Sequence, residues 1–152
     1  MRTFLMTTML IGFGLTTVML AGQALAVQDT PTTMNGVETV CTGVGSAKDD
    51  PRWAAYPIKI VLATSGGADL ANAHITLNKG SKVLMQTECD APWVLLKAPS
   101  GSYTATATLI GGSGQSHSAN FSIRGGAGQK EITITFARPV ADAPAPAAPV
   151  GQ

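Results

Sequence analysis

Along most of this chain apolar and polar residues take turns, one for one. In "SYTATATLI", Tyr103, Ala105, Ala107 and Leu109 fall on one face, and Ser102, Thr104, Thr106 and Thr108 on the other. A period of two with β-branched hydroxyl residues on the second face predicts a half-buried antiparallel strand. The small alanines on the inward face imply a close neighbour, such as a bulky side chain from an opposing sheet. Pro99, Ser100 and Gly101 form the turn before it, since proline holds φ and glycine accepts positive φ.

The alternation recurs. "EITITFA" turns Ile132, Ile134 and Phe136 inward, and "PIKIVLA" does the same with Ile58, Ile60 and Leu62. "HITLN" offers Ile75 and Leu77, "SKVLMQT" offers Val83 and Met85, and "SANFSIR" offers Ala119, Phe121 and Ile123. "VETVC" and "WVLLK" complete the set, and "TSGGAD", "NKGS", "GGSGQS" and "RGGAGQ" supply turns between them. Seven or eight short strands at this spacing predict an all-β fold, an antiparallel sandwich of Greek-key type. A closed barrel satisfies the same periodicity. Helix has almost no room; in "DDPRWAAY", Asp50 can cap a single turn begun by Pro51.

The two ends of the 152 residues follow other rules. Arg2, the apolar "FLMTTMLIGFGLTTVML" and the small residues "ALA" (Ala24 to Ala26) have the pattern of a secretory signal peptide, residues 1–26. A retained membrane anchor is the competing reading, because the apolar stretch approaches the length that spans hydrocarbon. Thr and Gly dilute that stretch and a cleavage site follows it, so cleavage before Val27 is expected, with no transmembrane segment afterwards. Gln23 stands where a lipoprotein needs Cys. At the other end, residues 138–152 are rich in Pro and Ala and predict a disordered tail, since repeated Pro removes backbone donors. Residues 27–137 then form one domain of ordinary size.

Composition narrows the partners. Without Arg2 the ten basic residues become nine, against nine acidic, so the exported chain is formally neutral. No basic stripe of the kind that binds nucleic acid is present. Cys41 and Cys89 are the two thiols. In an oxidising compartment such a pair predicts a Cys41–Cys89 disulfide, whereas a redox or metal pair lacks CxxC spacing and a nearby His.

"CDAPWVLLKAPSGSYTATAT" resembles the signature of carboxypeptidase regulatory-like domains, which are transthyretin-like (prealbumin-like) sandwiches with a Pro-x-Gly-x-Tyr turn. Here that turn is Pro99, Gly101 and Tyr103. The chain is most similar to small exported proteobacterial members with a Gly-Val-Gly, here Gly43, Val44 and Gly45, and a "D-x-PW-x-L" approach, here Asp90, Pro92, Trp93 and Leu95. The resemblance implies a module that stabilises, presents or binds. It brings no catalytic residues, and the disulfide is no part of it.

Chemistry is sparse. His74 and His117 read as strand-end residues, Asp49 and Asp50 as cap residues, and no G-x-S-x-G, phosphate loop or metal-ligand spacing occurs. No catalytic residue, cofactor or metal is therefore expected. Trp93 is expected in the core or as a lid over the disulfide. Trp53 and Tyr56 lie in the least regular segment and have two readings. Either they cover an open end of the core, or they contact a ligand or partner through aromatic stacking. The function these features predict is a non-catalytic module in the periplasm or secreted, working by protein–protein contact with an envelope protein. The alternative is a carbohydrate-binding module that grips a glycan with its aromatics. A sheet edge could also join copies of the chain into an oligomer.

Overall fold

Nine strands in two sheets make up the computed structural model, which describes residues 28–111 and 114–137. The predicted leader (1–26) and Pro/Ala tail (138–152) lie outside the described residues. The strands are β1 (Thr32–Met34), β2 (Val37–Thr42), β3 (Ile58–Thr64), β4 (Ala73–Lys79), β5 (Lys82–Cys89), β6 (Trp93–Lys97), β7 (Gly101–Leu109), β8 (Ser116–Ile123) and β9 (Lys130–Phe136). The first sheet runs β1-β2-β6-β3-β9 and the second β5-β4-β7-β8. The chain passes from one sheet to the other after β3, β5, β6 and β8, so the two layers are woven from alternating pieces. The fold is an all-β sandwich rather than a closed barrel. Among the described residues no helix is long and apolar enough to cross a membrane.

Period two sets the core. Ile58, Ile60 and Leu62 of β3 and Val94 and Leu96 of β6 face Ile75, Leu77, Tyr103, Ala105 and Ala107 of the second sheet, all in one buried cluster with Phe136. Burial of such side chains is worth roughly 1.5–3 kcal/mol each in removed apolar surface. Cys41 of β2 and Cys89 of β5 are joined by a disulfide across the two layers, with 5.6 Å between their Cα atoms. Both are fully buried, so the link pins the sheets from inside.

Three expectations need correction. The sandwich is not wholly antiparallel: β9 lies parallel to β3, with Ile58 beside Lys130 and Thr64 beside Phe136. Alternation reports which face a residue occupies, and it is blind to strand direction. Val83 is not inward but 46% exposed, because the β4–β5 ladder shifts register between Leu77 and Asn78 and spoils the alternation there. A ninth strand, β1, pairs with β2 across Asn35 and Gly36, both at positive φ (47° and 78°). An Asn-Gly pair is the usual signal for such a tight hairpin; three residues carry too little alternation to announce the strand.

Candidate functional site

The segment between β2 and β3 folds as two short 3-10 turns, Gly45–Asp49 and Pro51–Ala55. Asp50 caps the second, as predicted: its Oδ1 accepts the Arg52 backbone N–H at 2.9 Å, and Pro51 occupies the first position. The same side chain binds the Arg52 guanidinium, which holds the Asp50 carboxyl below its ordinary range. These turns pack Trp53 and Tyr56, edge to face with each other, against the outer face of the first sheet. There they form a second cluster with Val40 and Leu95, the outward residues of β2 and β6.

Trp53 and Tyr56 are therefore not exposed contact residues. Each is 5% exposed, and their polar tips are occupied. Trp53 Nε1 donates to the Ala47 carbonyl at 2.7 Å, and the Tyr56 hydroxyl donates to Glu38 Oε1 at 2.5 Å. Gln129 Nε2 donates to the carbonyls of both Trp53 and Tyr56, tying the turns to the loop before β9. Arg52 lies 4.8 Å over the Trp53 ring. No ring face is left for a sugar to stack on. They do cover apolar surface, but on the back of a sheet rather than at an open end of the core.

Burial, followed by the bond to Glu38 and its charge, pushes the Tyr56 phenol well above its usual 10.0. Above about pH 10 the unfolded chain loses this proton while the folded chain keeps it, so stability present below that pH declines as pH rises further. Tyr56→Phe is expected to flatten this alkaline decline. Melting curves from pH 9 to 12, run beside the wild type, check it; two parallel profiles would contradict it.

The residues of the Gly-Val-Gly and Pro-x-Gly-x-Tyr motifs do structural work. Gly43 has φ +99°, and a Cβ placed there would lie 2.6 Å from Trp93 Cγ. Gly45, at φ +57°, opens the first 3-10 turn. Trp93 is neither core nor lid. β6 alternates, so Val94 points at the disulfide layer and Trp93 lies partly buried on the outer face, with Lys59 Nζ 3.6 Å over its ring. The buried Pro92 accepts the Leu62 N–H at 2.8 Å through its carbonyl. The Tyr103 hydroxyl donates to the Pro99 carbonyl and closes the turn around Gly101, and its ring stacks on Phe121 at 5.9 Å. Gly43→Ala is expected to cost about 2–3 kcal/mol, from positive φ and overpacking together. The loss should shrink in a Gly43→Ala, Trp93→Ala double variant measured by urea titration, because the clash goes with the indole.

The histidines stay apart: His74 sits mid-sheet in β4 beside Glu88 and Thr108, and His117 lies edge-on to Phe136. Among the described residues no three metal-ligating side chains come together.

The structure places a cleft elsewhere, where β8 leaves the second sheet and β9 enters the first. It encloses about 740 Å³. Phe121, Ile123 and Ile58 supply its apolar wall, and Ser102, Asn120 and Ser122 supply hydroxyl and amide groups. Arg124 and Lys130 bring two cations from either end of the Gly-rich loop, and no Asp or Glu lines it. By sequence alone "RGGAGQ" is only a turn. The available signal was a cation on each side of that turn, but nothing local says that a strand end and a strand start converge.

A fold comparison finds similarity to a solved structure of a Klebsiella pneumoniae 5-hydroxyisourate hydrolase, at 13% identity and a TM-score of 0.40, over 53% of this chain and 83% of that one. No family model matches the chain, and no curated protein matches it either.

Proposed function

We propose that this chain is an exported, non-catalytic β-sandwich module that acts by protein–protein contact in the periplasm or cell envelope. Its placement among carboxypeptidase regulatory-like domains belongs to the same proposal and rests on the Pro99, Gly101 and Tyr103 turn and the Asp90, Pro92, Trp93 and Leu95 approach. The buried inter-sheet disulfide suits an oxidising compartment. The observation that carries the reading is the cleft itself: cations, hydroxyls and an amide beside an open sheet edge, with neither a carboxylate nor a histidine in its lining to act as a base. Such groups suit the holding of a partner by hydrogen bonds and charge.

The test is photo-cross-linking in cells that express the full chain, with the reactive side chain at Ser122 in the cleft or at Lys97 on the other sheet. A defined envelope protein captured from Ser122 and not from Lys97 is expected. Selective retention of the chain on a glycan array, with no protein captured, would overturn the proposal in favour of a carbohydrate-binding module.

A further inference from the structure

A sheet edge invites pairing with another chain unless something blunts it. The four edges here are β1, β9, β5 and β8. β1 has three residues; β5 opens on Lys82 and runs into the register shift; β9 opens on Lys130 and Glu131. β8 carries no such device. It runs eight residues without Pro, without Asp, Glu, Lys or Arg, and without a break in its ladder with β7.

One rung tells where its free groups point. The Leu109 N–H donates to the Gln115 carbonyl at 2.9 Å, and the pairing continues to Gly101 opposite Ile123. Bonded rungs alternate along an antiparallel pair, so they join the odd-numbered residues. Ser116, Ser118, Asn120 and Ser122 therefore turn their N–H and C=O groups away from β7, and no other backbone bond among the described residues takes them up. This row runs into the cleft, where Asn120 and Ser122 form part of the lining and Arg124 and Lys130 stand at its end. Neither cation belongs to an ion pair among the described residues.

We infer that β8 accepts an extended segment of a partner protein as a fifth strand of the second sheet, with acidic side chains at the segment's end held by Arg124 and Lys130. The inference rests on the protein-contact reading and adds the partner's shape and charge. Backbone rungs to the even-numbered residues supply affinity without regard to sequence, and the two cations select the segment. A second copy of this chain is a poorer occupant. Its own β8 has no carboxylate and is followed by another Arg124, so it would leave the cations unmet.

The probe is a short labelled peptide of alternating Thr and Val that ends in a pair of Glu, beside the same peptide ending in a pair of Lys. The full chain is expected to bind the acidic peptide at least about tenfold more tightly at low salt, with the difference shrinking as salt rises. Arg124→Glu with Lys130→Glu should abolish the preference. Ser118→Pro removes one outward N–H and leaves every β7 rung intact, so it should weaken binding about tenfold with little change in melting temperature. Methylating alternate amides of the peptide should do the same, and it leaves the protein untouched. Equal binding of both peptides, no binding, or indifference to methylation would overturn the inference. So would a concentration-dependent dimer that Ser118→Pro dissolves, since a second copy would then own the edge. If the peptide fails while Ser122 still cross-links an envelope protein, strand addition is wrong and the protein-contact reading stands.

Discussion

Trp53→Ala is expected to destabilise the chain by about 3–5 kcal/mol, the range for truncating a large buried aromatic side chain. The indole covers Val40 and Leu95 on the back of the first sheet, and its Nε1 holds the Ala47 carbonyl of the preceding turn. Removing it opens a cavity under the turns and loosens the tie from Gln129. For a domain of about a hundred residues that loss lowers Tm by roughly 15 °C or more. Thermal or urea denaturation of the variant checks it. A change within about 0.5 kcal/mol, as an exposed contact residue would give, would mean that the indole does not pack as described. The same experiment therefore separates the two readings of Trp53 that the sequence leaves open.

Breaking the Cys41–Cys89 link should cost a similar amount. The bond spans 48 positions of sequence. Closing a loop of that size restricts the unfolded chain by about 4 kcal/mol in the chain-entropy model, and losses in small exported domains run from about 2 to 5. The Cys41→Ala, Cys89→Ala double variant is the cleaner test, because Ala leaves no unpaired hydroxyl in the core. It should melt well below the wild type, near the temperature of the wild type held under strong reductant. Coincident melts of oxidised and reduced protein would show that packing alone holds the sheets in place. Mass spectrometry with alkylation of native material complements this, with no reactive thiol expected before reduction.

Much of the interior was legible because each strand presents it one residue at a time. Tyr103, Ala105 and Ala107, or Ile58, Ile60 and Leu62, need only a period of two to declare a buried face. The Asp50 cap with Pro51 was legible for a like reason: the donor and acceptor lie two residues apart. Leu95 and Val40 show the limit. Both lie on faces that alternation assigns to solvent, yet neither is exposed, because a separate segment folds over them. Trp93 errs in the other direction: an aromatic residue beside core strands reads as core, but its place in the pleat sets it on the outer face under Lys59.

The amino-acid order alone determined the all-β class, most of the inward strand faces and the pairing of the two cysteines, since these depend on neighbours in sequence or on the count of thiols. Tertiary structure decided the rest. It set β9 parallel to β3, buried Trp53 and Tyr56, left β8 as an edge strand among the described residues, and brought Arg124 and Lys130 to one cleft. Each of these turns on which strand lies beside which, and strands that alternate in the same way can be stacked in many orders without changing a single local preference.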